Sequence, residues 1–276
     1  MGESLAHFAL LSDLVRRRSG LDLPPHKAGL ARSRLAGLTE RFGFRSVDAL
    51  LAELEDEPEE LARAVTEALT TNETSFFRDP EIFAYLRQSV LPQLIRARAK
   101  RKRLRVWCAA ASTGQEAYSL AMLFRQEGLY RDGWKVDLFA TDLSRDAMRR
   151  AHEGLYAAHE VERGLPDHLR ERYFRPEAEH WRVQPRLRRC LRLQRFNLLD
   201  SMGWLGEIDL ILCRNALFYF ENEARSDVLG RMARTLCDDG WLVLGVSETV
   251  EPVEFYTPAG EARGVFLKRH ALRRAG

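Results

Sequence analysis

From residue 104 onward the chain alternates short apolar runs with amphipathic stretches, and this alternation constrains the fold more than any other feature. The runs cover residues 104–109, 136–141, 208–213 and 241–246, with helix candidates beginning near Gln115, Ser144 and Asn222. Near-continuous apolar strands belong to a parallel sheet buried on both faces, and parallel strands need crossover helices between them. The pattern therefore predicts an α/β domain. Residues 254–256 and 265–268 flank Thr257-Pro258-Ala259-Gly260 and predict a closing antiparallel pair at one edge. Residues 154–196 do not fit as a single crossover helix and predict an inserted subdomain. Its second half, 181–183 and then 187–196 with Pro185 between, has the alternation of a small antiparallel element.

Up to about Thr70 the spacing is helical, with Phe8, Leu11, Leu14 and Val15 on one stripe and no strand pattern. The expected organisation is a helical domain over 1–70, followed by a larger domain over 71–276 that carries a β subdomain at about 155–196. Within the first domain, residues 27–41 combine Leu30, Leu35 and Leu38 with Lys27, Arg32, Arg34 and Arg41, which predicts an amphipathic helix with a basic edge. A solvated face and a docking surface both fit that edge. Asp56-Glu57-Pro58-Glu59-Glu60 punctuates the region, because proline suits a first helical turn and acidic residues suit its positive end.

Composition excludes several classes. With 45% hydrophobic residues over 276 positions the chain can bury a large core. Its 43 basic side chains nearly cancel 40 acidic ones, so a net charge of +3 gives no general attraction to nucleic acid, and any basic surface is local. Cys108, Cys190, Cys213 and Cys237 are too scattered for a zinc site or a disulfide framework and read as reduced core residues; no metal is expected. No apolar run approaches the roughly 20 residues of a membrane helix, and Met1-Gly2-Glu3-Ser4 does not open a secretory leader, so a cytoplasmic location without membrane insertion is expected. A monomer is the default expectation.

Two stretches point to a nucleoside ligand. The strand ending at Ala109 runs through Ala110-Ala111-Ser112-Thr113-Gly114 into a helix, and a turn of small residues lets a ligand approach the backbone at the carboxyl edge of a sheet. It has neither the dinucleotide pattern G-x-G-x-x-G nor the phosphate loop G-x-x-x-x-G-K-[ST], which argues against a dehydrogenase or an ATPase. The second strand ends in Thr141-Asp142, which puts a carboxylate at the same edge for ribose hydroxyls. Helix capping is the competing role for Asp142, and Ser144 competes with it for that cap.

Three further stretches complete the pattern. Residues 69–79 read Leu-Thr-Thr-Asn-Glu-Thr-Ser-Phe-Phe-Arg-Asp, residues 196–199 read Phe-Asn-Leu-Leu, and residues 211–220 read Ile-Leu-Cys-Arg-Asn-Ala-Leu-Phe-Tyr-Phe. With Ser247-Glu248, these resemble the chemotaxis receptor methyltransferase (CheR) family over nearly the whole chain. They match its T-x-N-x-T-x-F-F-R segment and its C-R-N-x-x-x-Y-F signature. The resemblance implies a Rossmann-like S-adenosylmethionine methyltransferase sheet, no metal, and S-adenosylhomocysteine as the product. The implied reaction is esterification of glutamate side chains on the cytoplasmic domains of chemotaxis-type receptors.

By the same resemblance Asn72, Thr74, Arg78, Gly114, Glu116, Asp142, Asn197, Leu198, Arg214 and Asn215 would contact the cofactor. Arg78 and Tyr219 would lie beside the transferred methyl, and the basic edge at Lys27, Arg32, Arg34 and Arg41 would meet acidic methylation sites. One departure stands out. The family's turn reads close to A-G-C-S-T-G-E-E-P-Y-S, whereas Ala110, Ala111, Gln115 and Ala117 replace four of those residues here, leaving Gly114 as the surviving glycine. Alanine resists the positive φ that glycine accepts, so Ala110 predicts either a shifted turn or crowding of the cofactor. That departure motivates a rival reading, a non-catalytic module that binds S-adenosylmethionine or a receptor. A small-molecule methyltransferase is a second rival, and the basic first domain speaks against it.

Overall fold

The computed structural model describes residues 2–251, 254–260 and 262–269. The chain divides into two compact units, residues 1–71 with 218–225, and residues 72–217 with 226–276.

The first unit is helical, with α1 (Gly2–Ser19), α2 (Ala28–Phe42), α3 (Val47–Glu53) and α4 (Glu59–Ala68). Leu11, Leu14, Val15, Ala31, Leu35, Leu50, Leu54, Leu61 and Val65 form its core. Pro58 precedes α4, and Glu59 and Glu60 occupy its first turn, where the peptide dipoles favour negative charge. Leu30 departs from the expected stripe and is 52% exposed, because Ala31, Leu35 and Leu38 share one helical face and Leu30 lies a residue off it. Residues 218–225 return to this unit through Leu21 pairing with Phe220, the Asp22 amide donating to the Tyr219 carbonyl at 2.8 Å, and the Glu221 amide donating to the Gly20 carbonyl at 2.9 Å. Gly20 holds φ +75°, and a Cβ there would stand 2.7 Å from the Phe220 ring.

The second unit begins with α5 (Pro80–Tyr85) and α6 (Leu91–Arg98), then enters the sheet through β1 (Arg103–Ala109), α7 (Gln115–Gln126), β2 (Lys135–Asp142) and α8 (Arg145–Glu153). The insertion holds β3 (Leu155–Ala157), α9 (Ala158–Glu162), α10 (Asp167–Tyr173), β4 (Phe174–Glu177), β5 (His180–Val183) and α11 (Pro185–Arg188). The sheet resumes with β6 (Leu191–Arg195), β7 (Ile208–Cys213), α12 (Asn222–Thr235), β8 (Leu236–Leu244), β9 (Tyr256–Pro258) and β10 (Val265–Lys268). Its order is β6-β2-β1-β7-β8-β10-β9. The first five strands are mutually parallel, and β10 runs antiparallel to both β8 and β9. The chain builds outward from β1 through β2 to β6 and then crosses to β7 on the other side of β1, so the order reverses between β1 and β7, where open α/β sheets bind ligands.

Three expectations change. The antiparallel element of the insertion is β3-β5-β4 and ends at Val183, while β6 joins the main sheet in parallel register with β2. The fourth apolar run begins earlier than expected, at Leu236: β8 pairs Leu236 with Ile208 and Trp241 with Leu210, so Cys237-Asp238-Asp239-Gly240 bulges opposite Asp209. Gly240 is required there, because a Cβ would meet the Cys237 carbonyl at 2.8 Å. The closing hairpin starts at Tyr256 and takes in Thr257 and Pro258, with proline tolerated because β9 is an edge strand.

The bulge closes a buried ion-pair network at the amino edge of the sheet. Asp209, fully buried, accepts from Arg98 Nε at 2.6 Å, Arg101 Nη2 at 2.6 Å and the Arg105 amide at 2.7 Å. Arg98 also pairs with Asp239, whose carboxyl it holds below the usual range through that hydrogen bond. Removing one partner of a buried pair strands the other charge. Asp209→Asn is expected to cost about 3 kcal/mol in urea unfolding, while leaving S-adenosylmethionine affinity, measured by calorimetry on the folded protein, unchanged.

Candidate active site at the carboxyl edge of the sheet

The carboxyl ends of β1, β2, β6, β7 and β8 share one edge, and the sequence places its polar motifs immediately after each. After β1, residues 110–114 make a tight turn in which Ala110 holds φ 52° and Ser112 φ 51°. Ala110 itself takes the left-handed conformation, at a cost of roughly 1 kcal/mol. Gly114 completes it at φ 97°, with room for no Cβ, since one would stand 2.9 Å from the Ala151 methyl.

Asp142, at the end of β2, fixes the turn. Its Oδ2 accepts from the Ser112 amide at 2.8 Å and its Oδ1 from the Ser144 amide at 2.9 Å, and it is 7% exposed. Ser144 takes the capping role, its Oγ accepting from the Ala147 amide at 3.2 Å. After β6, Asn197 Oδ1 accepts from the Leu199 amide at 3.1 Å, and Leu198 is buried.

Residues 72–79 form a strap tied to the same edge. Ser112 Oγ donates to the Asn72 carbonyl at 2.8 Å, and the Phe77 amide donates to Ser119 Oγ at 2.9 Å. Phe76 is fully buried, edge-on to Tyr156 and Phe174. Arg78 Nη1 donates to the Glu73 carbonyl at 3.2 Å, leaving the side chain half-buried; Thr74 is half-buried and Asn72 exposed. Gly164 of the insertion lies so close to the strap that a Cβ would stand 2.2 Å from the Phe76 carbonyl oxygen.

Arg214, one residue past β7, joins the pieces. Its Nη1 donates to Glu116 Oε1 at 2.6 Å and its Nη2 to Asp79, and its side chain is 1% exposed. Burial alone would lower its pKa, but the two carboxylates outweigh burial and raise it, so the guanidinium stays charged. Its Nε is buried with no hydrogen-bond partner. Glu116 Oε2 also accepts from the Cys108 thiol at 3.3 Å; burial first, then Glu116, raise that thiol and keep its proton on.

Glu248 had a place in the motif pattern but no role in the sequence reading. Its Oε2 accepts from the amides of Asn215 and Gly245, each at 2.7 Å, and its Oε1 from the Ala216 amide at 3.1 Å. One carboxylate thus clamps the turn after β7, where Asn215 holds φ 57°, to the turn after β8. Charge-assisted bonds of this kind are about twice as strong as neutral ones. Asn72, Thr74, Arg78, Gly114, Glu116, Asp142, Asn197, Leu198, Arg214 and Asn215 all belong to this unit and gather on this edge or the strap. The donor set suits an adenosine ligand with a charged tail: a fixed carboxylate at a strand end, amides from two turns, and a buried unsatisfied guanidinium N–H.

Tyr219 and the basic residues of α2 belong to the first unit. Lys27 Nζ stands 5.6 Å from the Tyr219 ring centroid, and both line a cavity of about 190 Å³ with Leu21, Leu30, Arg34 and Thr71. Arg34 turns inward and donates to the carbonyls of Leu69 at 2.9 Å and Thr70 at 3.2 Å, and to Thr71 Oγ1 at 3.1 Å. Arg32 pairs with Asp48 at 2.6 Å, and Arg41 lies over the Phe42 ring.

Comparison with known proteins agrees with this geometry. The family model described as CheR methyltransferase, SAM binding domain, matches residues 72–261, and the one described as CheR methyltransferase, all-alpha domain, matches residues 6–70. Chemotaxis protein methyltransferase 1 of Pseudomonas aeruginosa is 38% identical over 254 residues, 91% of this chain and 92% of its own length. The chemotaxis protein methyltransferases of Salmonella typhimurium and Escherichia coli are each 32% identical, over 88% and 90% of this chain and 83% and 86% of their own lengths.

Because Ala110 bears a left-handed φ, Ala110→Gly is expected to raise stability by up to about 1 kcal/mol in urea unfolding, whereas the same substitution at an ordinary helical position lowers it by about that amount.

Proposed function

The chain belongs to the CheR methyltransferase family, and we propose that it esterifies glutamate side chains on the cytoplasmic domains of chemotaxis-type receptors. The observation that carries the reading is the strap-and-edge arrangement, in which Asp79 and Glu116 hold Arg214 and thereby fix the segment bearing Arg78. When bound, S-adenosylmethionine supplies a methyl group carried on a sulfonium. In this reading Asp142 accepts the ribose hydroxyls, Asn197 and Leu198 flank the base, and Arg214 Nε with Asn72, Thr74, Gly114, Glu116 and Asn215 lines the remainder.

A glutamate carboxylate has a pKa of about 4.3 and is ionised at neutral pH, so its own oxygen is the nucleophile and no protein base is needed. The chain's contribution is alignment and exclusion of water, which in favourable cases supply many kcal/mol. Arg78 orients the incoming carboxylate by charge, and Tyr219 orients it by its hydroxyl. Lys27, just before α2, and Arg41, in its last turn, attract the acidic segment around the target. Arg34 acts mainly through the carbonyls it holds at residues 69–70. The buried, charged Arg214 and the clamped turns support a working site over a vestigial one, because each serves the edge and not the core.

The test is transfer of labelled methyl from S-adenosylmethionine to a receptor cytoplasmic fragment, read as base-labile methanol. Wild type is expected to transfer and Arg78→Ala to lose about 10- to 150-fold in kcat/KM, since one charge-assisted contact is worth about 1.5–3 kcal/mol. Cofactor binding without transfer across a panel of receptors would sink the reading. With the nucleophile already ionised, kcat/KM is expected to stay flat between about pH 6 and pH 9 and to fall only as the acceptor protonates toward its pKa of about 4.3. A half-maximal point near pH 7 would instead indicate a general base.

A further inference from the structure

At the far end of α7 from the cofactor edge, roughly 15 Å along the helix from Gln115, lies a cavity of about 130 Å³ lined by Arg125, Tyr130, Arg131, Arg172, Tyr173 and Arg186. The Arg125 guanidinium sits 5.1 Å from the Tyr130 ring centroid, and those of Arg172 and Arg186 each sit 5.5 Å from the Tyr173 ring. Arg125 donates to the Arg186 carbonyl at 2.9 Å, and Arg186 donates to the Arg172 carbonyl, so backbone oxygens hold these two guanidiniums in place.

Charge is what sets this cavity apart. Among the described residues none of its four arginines forms an ion pair, whereas Arg98, Arg103, Arg182 and Arg214 are each matched to carboxylates. Nearby acids do not neutralise it: Glu127 pairs with Arg87 at 2.8 Å, and Asp132 and Glu171 make no ion pair with any of the four. Convergent like charges repel, and an anion relieves that repulsion.

One donor already points to a missing acceptor. Arg125 Nε is buried with no hydrogen-bond partner, and the Tyr130 hydroxyl on the same cavity has the Cys190 sulfur, a weak acceptor, as its neighbour. Burial, and then the neighbouring Cys190, raise the Tyr130 phenol, which therefore keeps its proton and remains a donor. A buried donor without a partner is costly, and an acceptor placed there removes that cost. A carboxylate has two oxygens and satisfies one guanidinium fork well; a phosphoryl group offers three strong acceptor oxygens and up to two charges, which matches several forks with a phenol. Arg131, Arg172 and Arg186 are exposed, so the mouth is open and the rest of a ligand stays outside.

We propose that this cavity binds the phosphoryl group of a small phosphorylated molecule, at a site separate from the methyl-transfer edge. Isothermal titration calorimetry of the full chain with inorganic phosphate and with pyrophosphate, ionic strength held constant with sodium chloride, tests it. One saturable site is expected, tighter for pyrophosphate. Arg131→Ala/Arg172→Ala is expected to weaken it at least 10-fold, as the loss of one or two charge-assisted bonds implies. Tyr130→Phe is expected to weaken it several-fold, and S-adenosylmethionine binding should stay unchanged in all variants, which separates this outcome from failure of the methyltransferase reading. No saturable heat with either anion, binding retained in both variants, or succinate binding as tightly as pyrophosphate would overturn the proposal.

Discussion

Arg214 is a buried cation whose desolvation has to be offset on the spot, and the way it is offset organises the whole carboxyl edge. An unpaired buried charge costs several kcal/mol, so the guanidinium requires carboxylates and fixes where they stand. Glu116 comes from the first turn of α7, 98 residues away, and Asp79 from the end of the strap, 135 residues away. Strand pairing positions β7 and the crossover positions α7. The strap lies outside the sheet ladder and is held by this ion pair, two hydrogen bonds to serines and the burial of Phe76. Electrostatics thus sets the place of the segment that carries Arg78.

The same edge concentrates backbone strain. Of the nine non-glycine residues with positive φ among those described, Phe77, Asp79, Ala110, Ser112 and Asn215 lie on the strap or in the turns that follow β1 and β7. Such conformations persist where the surroundings over-determine them. Here two carboxylates do so by accepting amide hydrogens: Asp142 from Ser112, and Glu248 from Asn215, Ala216 and Gly245. The same bracing acts on Ala110, which holds a positive φ without being glycine. The next two residues are pinned by hydrogen bonds, the Ala111 amide to the Thr141 carbonyl and the Ser112 amide to Asp142, so the left-handed step between them and β1 is imposed from outside.

The parallel strands were legible because buried strands and crossover helices differ in both length and period, and Ser144 was legible as a cap because it directly precedes its helix. What failed to show were features whose partners lie far away in sequence. Leu191 and Leu193 alternate as well for a small antiparallel sheet as for the edge of the main one, and their register against β2 alone distinguishes the two. Residues 218–225 follow β7 yet pair with Gly20, Leu21 and Asp22, and no local pattern announces that return. Arg34 reads as one more cation on a basic edge, whereas its side chain holds the carbonyls of Leu69 and Thr70. Glu248 shows in the sequence as a motif position without a role, because the amides it clamps after β7 lie more than 30 residues away.

Near-neutral net charge says only that the chain lacks a global field; it does not say where cations are spent. Arginines at the two ends of the main sheet are consumed by buried carboxylates, Arg98 with Asp209 and Arg214 with Glu116, and contribute rigidity instead of surface potential. The cations left without a carboxylate among the described residues include Lys27 and Arg41 at the two ends of α2 and the four arginines around Tyr130 and Tyr173. Pairing, and not composition, therefore decides which faces of this chain attract acidic partners. Two chemistries follow from the two settings. Side chains spread along a helix suit an extended acidic segment of protein, and guanidiniums converging on one small cavity with a buried unsatisfied donor suit a compact anion with several oxygens.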